Sequence, residues 1–239
     1  MATQATAERR SIRDRYRTQV QDEVKAIALQ QLADGGAGAL SINAIAKQLG
    51  LSGPALYRYF PSRDALLTAL VQDAYYDFAT ELLAATAPER ELDPVGRVRA
   101  LTAAYRGWAK ASPHRYRLLF REPVPGYDAH TKELVTAAQE LMAVALEVIE
   151  GLGQASMPAD DTDWAANTGW VVNTGKDAGW ARNVSPETNP EPALGFRGVI
   201  FWARIHGLVD LELNGNYASM RLDPGVFYEY EIAQLIAGH

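Results

Sequence analysis

Apolar residues along this chain recur every three or four positions, which is the spacing of one face of an α-helix. Val20, Val24 and Ala28 share such a face, and Gly35-Gly36 is expected to end their helix. Ser62 is the expected N-cap of the helix with the longest stripe, at residues 63–86. That stripe consists of Leu66, Leu67, Leu70, Val71, Ala74, Tyr75, Phe78 and Leu82. No segment alternates between apolar and polar residues as a half-buried strand would, so the pattern predicts an all-α fold.

Two short helices are predicted between these long ones. The first covers residues 42–49 behind Ser41 as its N-cap. The second starts behind Ser52 as its N-cap and runs to about residue 60, with Pro54 in its first turn. Gly50 lets the chain reverse tightly between them, which is typical of a helix-turn-helix. The residues expected to form its small core are Ile42, Ile45, Leu49, Leu51, Leu56 and Phe60, with Ala44 and Ala46 allowing the helices to cross closely.

The rest of the chain also reads as helices separated by Pro and Gly residues. The strongest apolar pattern covers residues 134–149, and the last two long helices are predicted at residues 194–213 and 224–237. The predicted architecture is therefore an N-terminal three-helix module over residues 1–62 and a larger helical domain over residues 63–239.

Charge is unevenly distributed along the chain. The whole sequence carries 23 Lys and Arg against 29 Asp and Glu, a net charge of −6. Residues 1–70 hold nine of the basic and six of the acidic residues, a net of +3, so the remainder carries −9. A positively charged N-terminal region followed by a negatively charged remainder is expected of a protein that contacts phosphate groups through its N-terminal module alone. Near the N-terminus, Arg9, Arg10 and Arg13 form either a solvated tail or an arm that contacts the minor groove of DNA.

Composition excludes several classes of protein. Cysteine is absent, which excludes disulfides and thiolate chemistry and is compatible with a cytoplasmic location. No run reaches the ~18 apolar residues of a membrane span. The polar, basic N-terminus lacks the apolar core of a signal peptide. We therefore expect a cytoplasmic globular protein without a membrane partner.

Catalytic and metal-binding motifs are missing as well. The sequence contains no GxSxG, GxGxxG, Walker or HExxH motif, and its four histidines are scattered. Asp160, Asp161 and Asp163 lack the spacing of a calcium loop and are explained by the start of a helix. We expect no catalytic site, no metal and no cofactor, with an enzyme or a helical small-molecule carrier as the rival interpretation.

The second short helix has an outer side suited to DNA. Once its apolar residues are buried, the residues left for solvent are Ser52, Gly53, Ala55, Tyr57, Arg58 and Tyr59. A surface that is small, aromatic and basic fits a helix that enters the major groove and places donors near bases and phosphates. Tyr57, Tyr59 and Phe60 have a competing interpretation as core aromatics at helical spacing.

This stretch resembles the tetracycline-repressor family of bacterial one-component regulators. Family members share a run close to A-x-x-x-G-x-S-x-x-x-L-Y-x-Y/H-F-x-x-K/R-x-x-L. This chain supplies, in register, Ala46, Gly50, Ser52, Leu56, Tyr57, Tyr59, Phe60, Arg63 and Leu66. The match covers residues 17–70, and beyond it the phrases PHRYRLLF and HGLVDLEL look similar to the family. The chain departs from the pattern at Pro54, where many members have glycine.

The resemblance implies a role for each residue of the DNA module. Ser41 and Ser52 would offer hydroxyls and backbone N–H groups to phosphates, while Tyr57 and Arg63 would clamp the DNA backbone. Arg58 suits a bidentate contact with guanine. The candidates to reach base edges are Gly53, Ala55, Arg58 and Tyr59, and Pro54 between them is counted among the DNA-binding residues.

The larger domain carries all five tryptophans of the chain. Aromatic side chains between helices can line a cavity for an apolar or planar ligand. The candidate pocket residues are Tyr105, Trp108, Phe120, Trp164, Asn167, Trp170, Trp202 and His206, each with a competing interpretation as a core residue.

The resemblance implies further that the larger domain binds a ligand and dimerises. Residues 194–213 and 224–237 would pack against their two-fold mates, and a homodimer implies a palindromic operator in double-stranded DNA. A small apolar or aromatic effector would shift the helix at residues 63–86 and release the DNA. The implied function is that of a sequence-specific repressor, and a repressor that acts without ligand is the alternative.

Overall fold

The computed structural model describes residues 2–121, 127–129, 131–152 and 192–237. Within these ranges every regular element is a helix, as the apolar spacing predicts. None of the helices in the described ranges is long and apolar enough to cross a lipid bilayer.

Ten α-helices occur in the described part of the chain. The N-terminal ones are α1 (Ala2–Gly35), α2 (Ile42–Gln48), α3 (Gly53–Tyr57) and α4 (Arg63–Thr86). They are followed by α5 (Pro94–Ala111), α6 (Pro113–Phe120), α7 (Lys132–Glu150), α8 (Pro192–Leu213), α9 (Asn216–Ser219) and α10 (Pro224–Ala237). Short 3₁₀ turns cover Ala37–Ala39 and Pro88–Arg90.

α1 starts almost at the beginning of the chain and ends at the predicted glycines. Gly36 has the left-handed backbone conformation, with φ of 66°, and its N–H donates to the carbonyl of Leu32 at 2.9 Å. Glycine adopts this conformation without the steric cost of a Cβ atom. Since it starts at Ala2, α1 includes the positions of Arg9, Arg10 and Arg13.

A tight glycine turn joins α2 to α3. The N–H of Gly50 donates to the carbonyl of Lys47 at 3.2 Å, and the N–H of Leu51 donates to the carbonyl of Ala46 at 2.9 Å. This pair of bonds is a Schellman motif, and Gly50 occupies its left-handed position with φ of 67°. A glycine here fixes the chain reversal that the sequence predicts.

The core of the helix-turn-helix is largely the predicted one. Four of its six expected residues are buried, namely Ile42, Ile45, Leu56 and Phe60. The other two, Leu49 and Leu51, are half-buried. Ala46 is buried but Ala44 is exposed, so the expectation that Ala44 lets the helices cross closely is wrong. Position 44 lies roughly 200° around the helix from the buried position 42, which turns it to solvent.

The described helices pack into two compact units. The first unit comprises Met1–Ala74 and His114–Thr131, and the second comprises Tyr75–Pro113 and Lys132–His239. α4 therefore contributes its first half to one unit and its second half to the other. The sequence placed the boundary before α4, after residue 62.

An ion pair attaches the first half of α4 to α1. Lys25 Nζ lies 2.7 Å from Asp73 Oδ2 and 3.3 Å from Asp22 Oδ1. Burial alone would lower the pKa of Lys25, but the hydrogen bonds and charges of Asp73 and Asp22 outweigh it and raise that pKa. The ammonium group therefore stays charged at neutral pH and holds α1 against α4.

Polar contacts hold α5 against the last two long helices of the second unit. The side chain of Glu212 in α8 is only 9% exposed. Its carboxylate accepts hydrogen bonds from Arg106 Nε at 2.7 Å and Arg106 Nη2 at 2.8 Å. It also forms an ion pair with Lys110 Nζ at 2.8 Å. Burial alone would raise the pKa of Glu212, but the bonds and charges of Arg106 and Lys110 outweigh it and lower that pKa. From α10, the hydroxyl of Tyr228 donates to the carbonyl of Thr102 at 2.7 Å. These contacts fix α5, α8 and α10 to one another.

Candidate nucleic-acid interface

α3 has one buried side and one outer side. Leu56 is completely buried, whereas the neighbouring Tyr57 is 45% exposed. Three other predicted contact residues around α3 are exposed, namely Ser52, Pro54 and Arg58. Three more are half-buried, namely Gly53, Ala55 and Tyr59. Of the three aromatic residues with a competing core interpretation, only Phe60 lies in the core. The outer side is therefore small, aromatic and basic, as the sequence predicts.

The regular part of α3 is shorter than predicted, because it ends at Tyr57. The backbone N–H groups of Tyr59 and Phe60 still donate to the carbonyl of Leu56, at 2.9 and 3.1 Å. Arg58 and Tyr59 therefore lie in a tight turn that continues from the helix and keeps both residues beside its exposed side.

Two serines precede the short helices, but only one of them makes a side-chain cap. The hydroxyl of Ser41 accepts a hydrogen bond from the N–H of Ala44 at 3.3 Å. Ser52 occupies the N-cap position of α3, yet its hydroxyl makes no capping bond within the described chain. The expected side-chain cap at Ser52 is therefore wrong.

Local chemistry explains the missing cap at Ser52. A cap accepts from the second or third N–H of its helix, and the second residue of α3 is Pro54, which has no N–H. The third N–H, on Ala55, donates to the carbonyl of Ser52 at 2.9 Å. The hydroxyl is thus left at the exposed entrance of α3, where a phosphate oxygen can reach it.

Arg63 is the first residue of α4 and is half-buried. The hydroxyl of Ser62 accepts from the N–H of Ala65 at 3.0 Å, so Ser62 caps α4 as predicted. The cap fixes the direction in which α4 leaves the turn after Phe60. Arg63 is thereby placed at a rigid position shortly after α3.

The second half of α4 packs against α5 through an aromatic cluster. Phe78 stacks on Trp108, with ring centroids 4.2 Å apart and planes at 9°, and meets Tyr105 edge-on at 4.9 Å. The indole Nε1–H of Trp108 donates to Asp77 Oδ2 at 2.8 Å. Tyr105 and Trp108 are 6% and 7% exposed, so both rings are packed in this cluster. Asp77 was missed at the sequence level, because its partner lies 31 residues away.

Three of the candidate pocket residues lie together in the second unit. The ring of Trp202 stacks on that of His206 at 5.0 Å, and Tyr105 Oη lies 3.4 Å from His206 Nδ1. Trp202 and His206 are half-buried. Phe120 belongs to the first unit, where its ring lies 4.9 Å from that of Tyr116.

The remaining candidates, Trp164, Asn167 and Trp170, lie outside the described residues, as do Asp160, Asp161 and Asp163. Among the residues that are described, no cluster of His, Asp or Glu side chains is arranged to hold a metal ion.

α8 and α10 carry exposed apolar side chains that sequence analysis did not single out. On α10, Val226 is 72% and Tyr230 is 58% exposed, and they are four residues apart on one helical face. On α8, Ile200 and Leu211 are 44% and 41% exposed. The i, i+4 spacing of Val226 and Tyr230 was a signal available in the sequence.

Comparison with known proteins agrees with this architecture. The family model "Bacterial regulatory proteins, tetR family" matches residues 26–70, and the model "Tetracyclin repressor-like, C-terminal domain" matches residues 98–235. The chain is 33% identical over 235 residues to the HTH-type transcriptional regulator Rv1816 of Mycobacterium tuberculosis, and the alignment covers 92% of each protein.

Solved structures share the fold. The putative regulatory protein SCO4313, of which a crystal structure is known, shares 38% sequence identity with this chain, and the two structures align with a TM-score of 0.74. The alignment covers 93% of this chain and 97% of the SCO4313 chain. A bacterial regulatory protein in the tetR family from Rhodococcus RHA1 is 16% identical with a TM-score of 0.57, over 92% of this chain and 96% of its own. At that lower identity the likeness concerns the fold alone. Two matched domains and a full-length relative lead to one conclusion: this chain belongs to the tetR family of bacterial regulatory proteins and is a DNA-binding transcriptional regulator with an N-terminal helix-turn-helix.

Proposed function

We propose that this regulator is a repressor that binds a palindromic operator through two copies of α3. It dissociates from the operator when a small planar or apolar molecule binds in the second unit. The observation that carries the DNA part is the orientation of α3. Its apolar Leu56 is fully buried while Tyr57, Arg58 and Ser52 remain at the surface. A helix held this way offers polar and basic side chains to a major groove without losing its core.

Each exposed residue of α3 has a role that follows from its chemistry. Arg58 lies just after the helix, where its planar guanidinium can donate two hydrogen bonds to one guanine. Gly53, Pro54 and Ala55 are small, which lets the backbone approach the groove floor. The hydroxyls of Ser52 and Tyr57 and the guanidinium of Arg63 donate to phosphates, and Tyr59 lies beside the base edges.

The homodimer is proposed to form through α8 and α10. Isolated apolar side chains are common on protein surfaces, but Val226 and Tyr230 lie on one face of α10 and are more than half exposed. A second copy would cover them in a two-fold interface, where each patch meets itself. Two reading helices then face half-sites that lie ~34–36 Å apart along the duplex, or a multiple of that distance.

Effector control is proposed to act through α4. Asp73 pairs with Lys25 of α1 in the first unit, and Asp77, one turn later, accepts from Trp108 of α5 in the second. A ligand that favours a different position of the Phe78–Trp108 stack would move the helix that also carries Asp73. The separation of the two copies of α3 would change as a result.

The effector site is proposed at Tyr105, Trp202 and His206. The half-buried indole offers a flat apolar surface, and the Tyr105 hydroxyl and His206 imidazole, 3.4 Å apart, place polar atoms in the same cluster. A planar, largely apolar molecule with one polar group matches that combination.

Arg58→Ala and Arg63→Ala should affect DNA binding differently. The Arg58→Ala variant loses the proposed base contacts, so it should lose ~1–3 kcal/mol of binding free energy to the operator. Its discrimination between bases should weaken at one position of the half-site. Loss of Arg63 should weaken binding to all sequences and lower the slope of log affinity against log salt by about one unit. Fluorescence anisotropy on operator and mutated duplexes measures both, with Arg117→Ala in α6 as an exposed control of equal charge. Equal losses for Arg58→Ala on every sequence would reduce its role to a phosphate contact.

Ser41→Ala and Ser52→Ala form a second matched pair. Ser41 makes a side-chain cap and Ser52 does not, so only Ser41→Ala should lower the free energy of unfolding, by ~0.5–2 kcal/mol. Both variants should bind DNA more weakly because both remove a phosphate donor. Urea unfolding gives the first quantity and anisotropy the second. If Ser52→Ala bound DNA as tightly as the wild type, Ser52 would have no place in the interface.

Val226→Glu should separate the dimer. A carboxylate buried without a partner on each side of the two-fold axis costs at least ~3 kcal/mol, which raises the dissociation constant of the dimer ~100-fold or more. Val135→Glu, on the exposed side of α7, makes the same change outside the proposed interface. Sedimentation velocity distinguishes the two variants. A dimeric Val226→Glu protein would place the interface elsewhere.

Binding of the effector and binding of the operator should weaken each other by the same factor. A planar compound that lowers operator affinity by the usual factor of ~5–150 must bind the operator-bound protein more weakly by the same factor. Titration of a panel of planar aromatic compounds, followed by tryptophan fluorescence with and without operator, measures both affinities. Compounds that bind equally well in both states, with no effect on DNA, would favour the ligand-independent repressor.

A further inference from the structure

The first turn of α3 has no side chain that can hydrogen-bond to a base. Its residues there are Gly53, Pro54 and Ala55, and none of them has a polar side chain. Arg58, the residue proposed to contact guanine, lies at the other end of α3. Because base pairs are distinguished mainly by hydrogen bonds to their edges, recognition of a base pair beside this first turn requires a side chain from another element.

Asn43 of α2 is a polar side chain close to that turn. It is the second residue of α2 and is exposed. Its side-chain oxygen Oδ1 lies 3.8 Å from the position that a Cβ atom on Gly53 would occupy. Since glycine has no Cβ atom, the side chain of residue 53 does not cover this amide. The amide of Asn43 and the first turn of α3 therefore belong to one surface of the first unit.

The sides of α2 differ in their chemistry. Its buried side consists of Ile42, Ile45 and Ala46. Asn43 and Lys47 are both exposed and are four residues apart, which places them about 40° from each other around the helix. Gln48 is also exposed but lies roughly 140° from Asn43. The side of α2 that includes Asn43 thus presents an amide and an ammonium group.

We infer that Asn43 reads an adenine in the major groove, at a base pair beside the first turn of α3, and this rests on the proposed contact of α3 with DNA. A side-chain amide has an NH₂ donor and a carbonyl acceptor. These groups match the N7 acceptor and the N6 amino donor of adenine, so the amide can form two hydrogen bonds with one base. The ammonium of Lys47, on the same side of α2, suits the phosphates that border the groove.

Two other roles for Asn43 lead to different results. A contact between its amide and a phosphate would strengthen binding to every sequence equally, because phosphates are the same at every base pair. A contact that only positions α3 would not depend on the N7 atom of one adenine. Base reading alone requires both a preference at one base pair and a dependence on that atom.

The first test compares Asn43→Ala with Gln48→Ala, since each variant removes one exposed amide from α2. The wild type first selects its half-site from random duplexes. Fluorescence anisotropy then measures its affinity for duplexes that carry each of the possible base pairs at one position, for every position in turn. The wild type should prefer adenine at one position by ~5–140-fold. Asn43→Ala should lose this preference, and Gln48→Ala should keep it.

The second test changes single atoms of the contact. Replacement of the preferred adenine by 7-deazaadenine removes the N7 acceptor and leaves base pairing intact. The wild type should bind this duplex several-fold more weakly, whereas Asn43→Ala should bind both duplexes equally. Asn43→Asp replaces the NH₂ donor by a second acceptor, so its preference at this position should move to cytosine, whose N4 amino group donates. Circular dichroism checks that each variant stays helical.

Three results would overturn the inference while leaving the proposed role of α3 intact. One is an Asn43→Ala variant with the wild-type preference at every position. Another is an equal loss of affinity for all base pairs, which would indicate a phosphate contact. The third is the same effect of 7-deazaadenine on the wild type and on Asn43→Ala. A wild-type chain that selects no DNA sequence would instead contradict this inference and the proposed function together.

Discussion

The burial of Leu56 is the constraint on which the proposed contact of α3 with DNA depends. Completely enclosed in the first unit with Ile45, it leaves α3 one orientation, with Tyr57 and Arg58 outward. The Schellman turn at Gly50 sets where α3 begins, and the cap at Ser62 sets how the chain leaves it. A helix of five residues has too little stability of its own to hold a contact surface, so the packing around it must do so.

α4 is the element through which the two units can influence each other. Its carboxylates at Asp73 and Asp77 are one turn apart, and each makes a short contact within a different unit. In the proposed effector control, α4 would carry a displacement from one unit to the other. The polar contacts of Glu212 with Arg106 and Lys110 fix α5 to α8, so a change near α5 also reaches the helices proposed to form the dimer. The whole account of effector control thus depends on small movements of packed helices.

Sequence patterns predicted the helices because apolar spacing and caps are local. The turn at Gly50, the cap at Ser62 and the outward side of α3 all follow from residues within a few positions of one another. Ser52 is an exception, because the sequence does not reveal that the N–H of Ala55 bonds to the carbonyl of Ser52 and not to its hydroxyl.

Contacts between distant parts of the chain could not be derived in the same way. Trp108 pairs with Asp77 across 31 residues, and Arg106 with Glu212 across 106, and periodicity does not encode such pairings. Trp108 was a candidate pocket residue in the sequence with a competing interpretation as a core residue, and in the fold its ring stacks on Phe78.

Selection of bound fragments from a random duplex pool by the purified full-length protein tests the central claim most directly. If two copies of α3 each read a major groove, the enriched sequences must contain an inverted repeat whose half-sites are centred ~10 base pairs, or a multiple of a helical turn, apart. Replacement of Arg58 by alanine should alter the same position in both halves. Enrichment of a single unrepeated element, or no enrichment at all, would contradict the account.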